Sequence, residues 1–324
     1  MSEVFDNLLE RAASRYRVLM NDDTIHVSDS PYWEQLRHAK DEYYRLIKAR
    51  ETLMKTGIYD ISDEDYFDNH ALSKSYLWKL INQTPAHAQV KTQKTDSMAM
   101  GSAVHLAVLE PQLASKQIIQ GPDTRRGKKW TDAAKEAEAD GKILLTQADY
   151  NQCMLIRDSV WRNPACASEL GHKDTVYEQA AFWDYKGMAF KCKTDAARPG
   201  TIIDLKTSVD ASPKGFAQAV AKYGYHMQDA SYSYGWGKAS GTAVEHFLFL
   251  VVEKQPPYAC AIYELDQISK REGWASYLAA IELHQQCVED EFFHAYPTEK
   301  VLLQLPPYAF KHTNPRVIKL FDNQ

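Results

Sequence analysis

The stretch Lys193-Thr-Asp-Ala-Ala-Arg-Pro-Gly-Thr-Ile-Ile-Asp-Leu-Lys-Thr-Ser208 decides the interpretation of this chain. Its second half is apolar and β-branched, which predicts a strand over residues 201–207, and residues 188–195 predict another strand before it. Between them, Pro199-Gly200 combines a restricted and a permissive φ angle, as a tight turn requires. The stretch therefore predicts a β-hairpin.

Two acids and a lysine meet on this hairpin. Asp204 and Lys206 are two residues apart, so their side chains leave the same face of the strand, while Leu205 points into the opposite layer. A hairpin that closes on Pro199-Gly200 places Asp195 opposite Asp204. The register stays open, because Pro-Gly is not the favoured two-residue hairpin turn and a slip of one residue would move Asp195 to the other face.

The pattern Asp-x-Lys occurs three times, and its context separates the copies. Asp140-Gly-Lys142 and Asp184-Tyr-Lys186 include or adjoin a glycine, which is typical of polar turns. Only Asp204 follows β-branched strand residues, Thr201-Ile202-Ile203, and has a second acid at hairpin distance. Taken alone, Asp204 and Lys206 could also be a surface ion pair at the end of a strand.

Composition limits the class of protein. The chain has 324 residues, 44% hydrophobic and 25% charged, which suits one large or two small globular domains. It has no apolar run that could span a bilayer and no signal peptide, so we expect a cytoplasmic protein without a membrane partner. Five cysteines without a C-x-x-C pair predict buried thiols, with no zinc, disulfide framework or iron–sulfur cluster.

A net charge of −5 means that any contact with DNA must be local. The candidate is a basic segment between Gly121-Pro122 and an acidic helix predicted over residues 132–140, and an exposed, solvated loop is the alternative interpretation. Its cations are Arg125, Arg126, Lys128 and Lys129.

Periodicity predicts an α+β fold with a central mixed β-sheet flanked by helices. A helical arm occupies residues 1–56, the compact region 57–300 and an irregular tail 301–324. The predicted helices cover residues 72–80, 97–109, 146–161, 213–239 and 267–293. The predicted strands cover residues 175–183, 188–195, 201–207, 244–252 and 258–265.

Polar side chains outside the hairpin recur at helical spacing. His105 shares one helix face with Gly101, four residues earlier. Gln228 and Tyr232 are also four residues apart, and an amide and a phenol there could steady a lysine, a water or a phosphate. An aromatic stripe on a helix is more often core packing, which is the competing interpretation for Tyr232.

The order Gly101-x-x-x-His105, Glu178, Asp195, Asp204-x-Lys206 and Gln228-x-x-x-Tyr232 resembles the PD-(D/E)xK nuclease superfamily. Over about residues 57–300, the chain is similar to the nuclease domain of the exodeoxyribonuclease VIII (RecE) family of phages and prophages. The motifs that carry this likeness are Gly57–Tyr66, Leu72–Ser75, Met100–Pro111, Asp204–Thr207 and Tyr225–Tyr232.

The resemblance implies a restriction-endonuclease-like core and a function. Members are Mg²⁺-dependent 5′→3′ exonucleases that degrade one strand of linear duplex DNA and leave a 3′ overhang for an annealing protein of the RecT type. They form rings around DNA, usually tetramers. We therefore expect a phage- or prophage-encoded exonuclease in a bacterial cytoplasm, with Mn²⁺ tolerated as the metal.

The resemblance also implies the metal ligands. Asp195 and Asp204 would bind the metal together with His105 and the backbone carbonyl of Leu205. Glu178, on the strand before the hairpin, would bind a second metal or its water.

The remaining roles concern the lysine and the DNA. Lys206 would orient the attacking water, and Gln228 and Tyr232 would hold Lys206 and the substrate phosphate. Ser73 and Ser75, within the second motif, are candidates for DNA contact.

Three other functions compete with this expectation. Another end-processing nuclease of the Cas4 or RecB type would share the catalytic residues, although many of these carry an iron–sulfur cluster. A DNA-binding protein with a degenerate nuclease fold would be expected to lack an acid or the lysine, and this chain retains them. A metal-dependent phosphohydrolase of small molecules would not need the basic segment.

Overall fold

The computed structural model describes residues 54–90 and 95–306, together with residues 10–15, 17–18, 40 and 309. The predicted arm over residues 1–56 and the tail beyond residue 306 therefore lie almost wholly outside the described residues. None of the helices in the described part of the chain is long and apolar enough to cross a membrane.

Helices and strands are interspersed along the described part of the chain. The strands are β1 (Gly57–Tyr59), β2 (Leu72–Ser73), β3 (Ile118–Gln120), β4 (Ile143–Leu145), β5 (Val176–Tyr185), β6 (Met188–Arg198), β7 (Thr201–Ser208), β8 (His246–Glu253) and β9 (Cys260–Tyr263). The helices are α1 (Asp63–Asp68), α2 (Lys74–Asn82), α3 (Pro85–Ala88), α4 (Asp96–Leu109), α5 (Pro111–Gln117), α6 (Lys128–Ala139), α7 (Gln147–Arg162), α8 (Pro164–Leu170), α9 (Pro213–Tyr223), α10 (Tyr225–Ser240) and α11 (Gln267–Glu289).

A mixed sheet forms the centre of the molecule. Seven strands take part, in the order β1-β5-β6-β7-β8-β9, with β2 pairing β6 from the side. The pairs β1–β5, β5–β6 and β6–β7 are antiparallel, whereas β2–β6 and β7–β8 are parallel. Strands β3 and β4 form a separate parallel pair. The predicted α+β class with a central mixed sheet is confirmed.

Helices α2, α9, α10 and α11 cover one face of the sheet with a large apolar core. Its buried members include Leu77, Phe216, Met227, Phe249 and Tyr277. Because burial of a side chain of this size contributes about 1.5–3 kcal/mol, this layer fixes the helix that carries Gln228.

Helices α4, α7 and α8 cover the other face. The buried side chains there include Val104, Ile156, Cys166, Leu205 and Leu250. Leu205 lies in this layer while its neighbours Asp204 and Lys206 face away from it, as the two-residue period of a strand requires.

The hairpin of β6 and β7 has the predicted register. Arg198 pairs with Thr201 around the turn, and the paired residues continue to Ala196 and Ile203. The next positions along the two strands are Asp195 and Asp204. Gly200 takes φ +74°, the left-handed conformation that a glycine adopts without a steric penalty.

Sequence periodicity missed the shortest elements and one helix start. Strands β1 to β4 and helices α1, α3, α5 and α8 were not predicted, because two to seven residues are too few to establish a period. Helix α6 begins at Lys128 instead of residue 132, directly after Gly127 at φ +86°. Lys128 and Lys129 therefore lie in the first turn of a helix and not in a loop.

Burial of one histidine gives the fold a predicted dependence on pH. His284 Nδ1 lies 3.0 Å from the Tyr76 hydroxyl, and burial lowers the pKa of His284 from 6.5 to about 4. The unfolded chain therefore binds the proton more tightly, so stability is present above pH 6.5 and is lost as pH falls toward 4. This group contributes up to about 3 kcal/mol of that loss.

We expect His284→Gln, which keeps a hydrogen-bonding group but does not titrate, to show a smaller stability difference between pH 7 and pH 5 than the wild type. Urea unfolding at the two pH values measures it. An equal pH dependence in both proteins would contradict the assignment.

Candidate active site

Asp195 stands at the end of the paired part of the hairpin and joins its two strands. Its Oδ2 accepts a hydrogen bond of 2.6 Å from the backbone N–H of Leu205. Its Oδ1 lies 3.3 Å from Nδ1 of His105. Burial acts to raise the pKa of Asp195, but His105, Lys206 and the Leu205 N–H outweigh it and lower the pKa. Asp195 is therefore held as a carboxylate.

His105 reaches the hairpin from α4. Thr95 caps this helix by accepting a hydrogen bond from the Met98 N–H, and Ala107 and Val108 anchor it in the core. Burial acts to lower the pKa of His105, but the adjacent Asp195 carboxylate reverses the effect and raises it. The imidazole and Asp195 thus form a partly buried ion pair when His105 is protonated.

Glu178 joins this group through a strained backbone. It has φ +51° within β5, between the pairs Tyr177 with Ala196 and Gln179 with Thr194. A left-handed conformation in a non-glycine residue costs on the order of 1–3 kcal/mol and is concentrated at functional sites. Burial, and secondarily Asp195, raises the pKa of Glu178 to about 7. The fold therefore holds two carboxylates together at an energetic cost.

The strain at Glu178 predicts an unusual order of stability. We expect Glu178→Gly to be more stable than Glu178→Ala by about 1 kcal/mol, because glycine adopts positive φ freely and alanine does not. At an ordinary strand position, the order would be reversed. Chemical denaturation of the metal-free variants measures the difference, and an alanine variant as stable as the glycine variant would show that the backbone is unstrained.

The three side chains fit a divalent cation. His105, Glu178 and Asp195 each offer one donor atom, and these atoms lie within 4.8 Å of one another. Donors around Mg²⁺ at about 2.0–2.1 Å stand no more than roughly 4.2 Å apart, so a small side-chain adjustment would close the site. Two carboxylates with one imidazole suit Mg²⁺ or Mn²⁺. Within the described residues, Glu178 belongs to this cluster and Asp204 does not, so the ligand role of Asp204 stays a prediction.

Asp204 lies beside this cluster and is buried. Its Oδ1 accepts a 2.5 Å hydrogen bond from Nε2 of Gln228, and its Oδ2 pairs with Nζ of Lys206. The Asp204 side chain is 4% exposed and that of Lys206 16%. The predicted Asp-x-Lys unit is therefore an ion pair with a buried carboxylate, which also accepts a hydrogen bond from Gln228, and not the surface pair of the alternative interpretation.

The pKa values of both partners are raised, which disfavours the charged form of Asp204 and favours that of Lys206. Burial raises the pKa of Asp204, and Lys206 offsets this only in part. The pKa of Lys206 is raised, because Asp204 and Asp195 outweigh its burial. We take the ion pair as the folded form, since an unpaired carboxylate or ammonium group at this depth would cost several kcal/mol.

The neighbours of Lys206 differ from those expected. Gln228 was expected to hold Lys206, but its amide donates to Asp204, the acceptor in this pair. Lys206 Nζ lies 4.8 Å from the centre of the Tyr225 ring, a cation–π contact. Tyr232 packs edge-on against Phe247 in the core. Tyr225 was missed, although it precedes Gln228 by three residues and shares its helix face.

The structure also locates the candidate DNA-binding residues. Arg125 lies between α4 and α7, in ion pairs with Asp96 and with Asp149, the latter at 2.8 Å. The other three predicted cations, Arg126, Lys128 and Lys129, are at least partly exposed.

The serines lie elsewhere. Ser73 caps α2 by accepting a hydrogen bond from the Tyr76 N–H, and Ser75 is exposed in the first turn of that helix. DNA contact by these serines and by the basic segment stays a prediction.

A mixed sheet with an acidic hairpin, an Asp-x-Lys strand and flanking helices defines a nuclease fold of the PD-(D/E)xK class. A family described as "PDDEXK-like domain of unknown function (DUF3799)" matches residues 75–301, more than half of the chain. The chain belongs to this family. The predicted superfamily is thereby confirmed, whereas the closer resemblance to the exodeoxyribonuclease VIII family stays a prediction.

A solved structure supports the fold. A crystal structure from Eubacterium rectale, described as a putative exonuclease, matches with a TM-score of 0.52 and 14% identity, covering 79% of this chain and 100% of the other. A structure described as SSO0001 has 15% identity, covers 59% and 88% of the two chains, and has a TM-score of 0.25, too low to carry an argument. No curated protein matches the sequence. Family and fold together support a nuclease, a class of hydrolase.

Proposed function

We propose that this protein is a divalent-metal-dependent exonuclease that degrades one strand of linear duplex DNA in the 5′→3′ direction. The observation that carries the proposal is the hairpin, where Asp195 bonds the Leu205 N–H and Asp204 is paired with Lys206. A half-buried histidine and glutamate complete a donor set around it. Acids, imidazole and ammonium group thus converge as phosphodiester hydrolysis requires.

His105, Asp195 and Glu178 would hold the metal, with Asp204 adjoining. Mg²⁺, or Mn²⁺ in its place, supplies charge stabilisation and a nucleophile at neutral pH when bound. Asp195 and Glu178 would therefore act as ligands and not as proton donors.

Besides the metal ion, the ammonium group of Lys206 would place a positive charge at the reacting phosphate. Asp204 fixes the position of its ammonium group from one side and the Tyr225 ring from another. Gln228 fixes Asp204 in turn. A preorganised cation of this kind stabilises the charge that develops on phosphate oxygens and orients the attacking water. The network makes Lys206 the residue on which hydrolysis depends most.

The substrate and partners follow from the resemblance. The cations Arg126, Lys128 and Lys129 would contact the phosphate backbone locally, as the acidic net charge requires. The 3′ overhang would be the substrate of a single-strand annealing protein, and a ring of subunits would enclose the duplex.

One assay tests the function. The protein is incubated with 5′-labelled linear duplex and with closed-circular DNA, each in Mg²⁺ and in EDTA. We expect early release of the 5′ label from linear DNA, an intact circle, and no reaction in EDTA. Release from the 3′ end would overturn the polarity, nicking of the circle would make the protein an endonuclease, and hydrolysis of only a chromogenic phosphodiester would exclude DNA as the substrate.

A further inference from the structure

A second lysine lies at the metal cluster, and the proposed reaction gives it no role. Lys193 precedes Asp195 by two residues on β6, so both side chains leave the same face of the strand. Its Nζ lies 3.3 Å from Oε2 of Glu178. The side chain of Lys193 is 17% exposed, so most of it is removed from solvent.

Lys193 is held at this position from outside. Its Nζ donates a 2.5 Å hydrogen bond to Oδ1 of Asp63, whose own side chain is 71% exposed. Asp63 begins α1, a helix capped by Ser62. The ammonium group is thus fixed between an exposed carboxylate and a half-buried one, with limited freedom to swing away from Glu178.

The charge at the site explains why a fixed cation is needed there. Asp195, Asp204 and Glu178 place three carboxylates close together, Asp63 adds a fourth against Lys193, and Lys193 and Lys206 offset two of the four. With a neutral imidazole as ligand, two net negative charges are left, so one divalent ion balances the site and a second ion leaves an excess of two positive charges. Two divalent ions in one partly buried site repel each other strongly, because little solvent screens their charges.

We propose that Lys193 stands in for a second divalent cation, by taking one oxygen of Glu178 so that the resting site binds a single ion. Lys193 is thus a positioning residue: it restricts Glu178 to its other oxygen as a ligand. The inference rests on the metal site of the proposed function, but it concerns the number of ions and not whether DNA is cleaved.

The experiment counts bound Mn²⁺ by electron paramagnetic resonance and by calorimetry on the full-length protein without DNA. We expect one tight Mn²⁺ per wild-type chain. Lys193→Met, which keeps the length of the side chain and removes its charge, should bind a second Mn²⁺ about 10- to 100-fold more tightly than the wild type does. The increase of the melting temperature on adding Mn²⁺ should also be larger in this variant.

Two variants serve as controls. Lys193→Arg keeps the charge and should still bind one ion. Asp63→Asn removes the outer partner of Lys193 but leaves the ammonium group, and should also bind one ion. Circular dichroism of each variant establishes that it is folded.

The outcomes separate the inference from the proposed function. Two tight ions in the wild type, or an unchanged second binding constant in Lys193→Met, would overturn the inference while leaving a metal-dependent nuclease intact. A wild type that binds no Mn²⁺ and cleaves no DNA would overturn the proposed function and the inference with it.

Discussion

Lys206→Met should lower the rate of cleavage of linear duplex DNA by about 10²- to 10³-fold, the usual effect of removing one preorganised group that stabilises the transition state. Methionine keeps the length of the side chain, so the loss is that of the ammonium group. Single-turnover cleavage at saturating Mg²⁺ measures it. Affinity for Mn²⁺ should change little, because Lys206 is not among the proposed ligands. Cleavage at the wild-type rate would remove Lys206 from the mechanism.

This result needs a control for stability, because Lys206 is paired with the buried carboxylate of Asp204. Removing one member of a buried pair costs about 3–5 kcal/mol, because the other charge is left uncompensated. Lys206→Met alone should therefore be destabilised, and adding Asp204→Asn should restore much of the stability. If activity returns with stability, the single variant was merely unfolding. If activity stays lost in the stable double variant, the defect lies in the Asp204–Lys206 pair and not in folding.

Asp195→Asn should lower the affinity for Mn²⁺ by at least about 10- to 100-fold and abolish cleavage in the same Mg²⁺ concentration. The amide oxygen can still accept the hydrogen bond from the Leu205 N–H, so the hairpin should keep its register. Removing the charge also removes its attraction to His105 and Lys206, which lowers the pKa of Asp195 in the folded protein. We therefore expect the metal-free variant to be less stable than the metal-free wild type, and its stabilisation by Mn²⁺ to be lost.

A second histidine–aspartate pair in the same chain provides the matched control. His172 and Asp174 lie 3.9 Å apart, and both side chains are exposed. Asp174→Asn should leave the affinity for Mn²⁺ unchanged and alter stability by no more than a few tenths of a kcal/mol, as for a typical surface substitution. Equal effects of the two substitutions would contradict the assignment of Asp195 as a ligand.

The hairpin was predictable because its signals are local. The β-branched run before Asp204 and the turn at Pro199-Gly200 fix strand, turn and face within sixteen residues, from Lys193 to Ser208. The local sequence context also separated Asp204 from the two copies of the motif that lie beside a glycine. His105 was predictable as a helix-borne residue, and the order of the motifs supplied the superfamily.

Other features of the site depend on contacts between distant segments. The left-handed backbone at Glu178 has no sequence signal, since glutamate rarely adopts it, and it arises where β5 passes Asp195. The partner of Gln228 was wrongly expected to be Lys206, because a spacing of four residues gives the face of a helix but not the atom that it meets. The contact of Tyr225 with Lys206 was missed for the same reason.

The sequence by itself determined which residues form the acidic hairpin and which face each one takes, because a strand alternates its side chains with a period that neighbouring residues set. Only the tertiary structure decided which of these side chains contact each other. It paired Asp204 with Lys206 and Gln228, grouped Asp195 with His105 and Glu178, and brought Lys193 between Glu178 and Asp63. These pairings depend on charge and distance after the layers have packed, which no local pattern records.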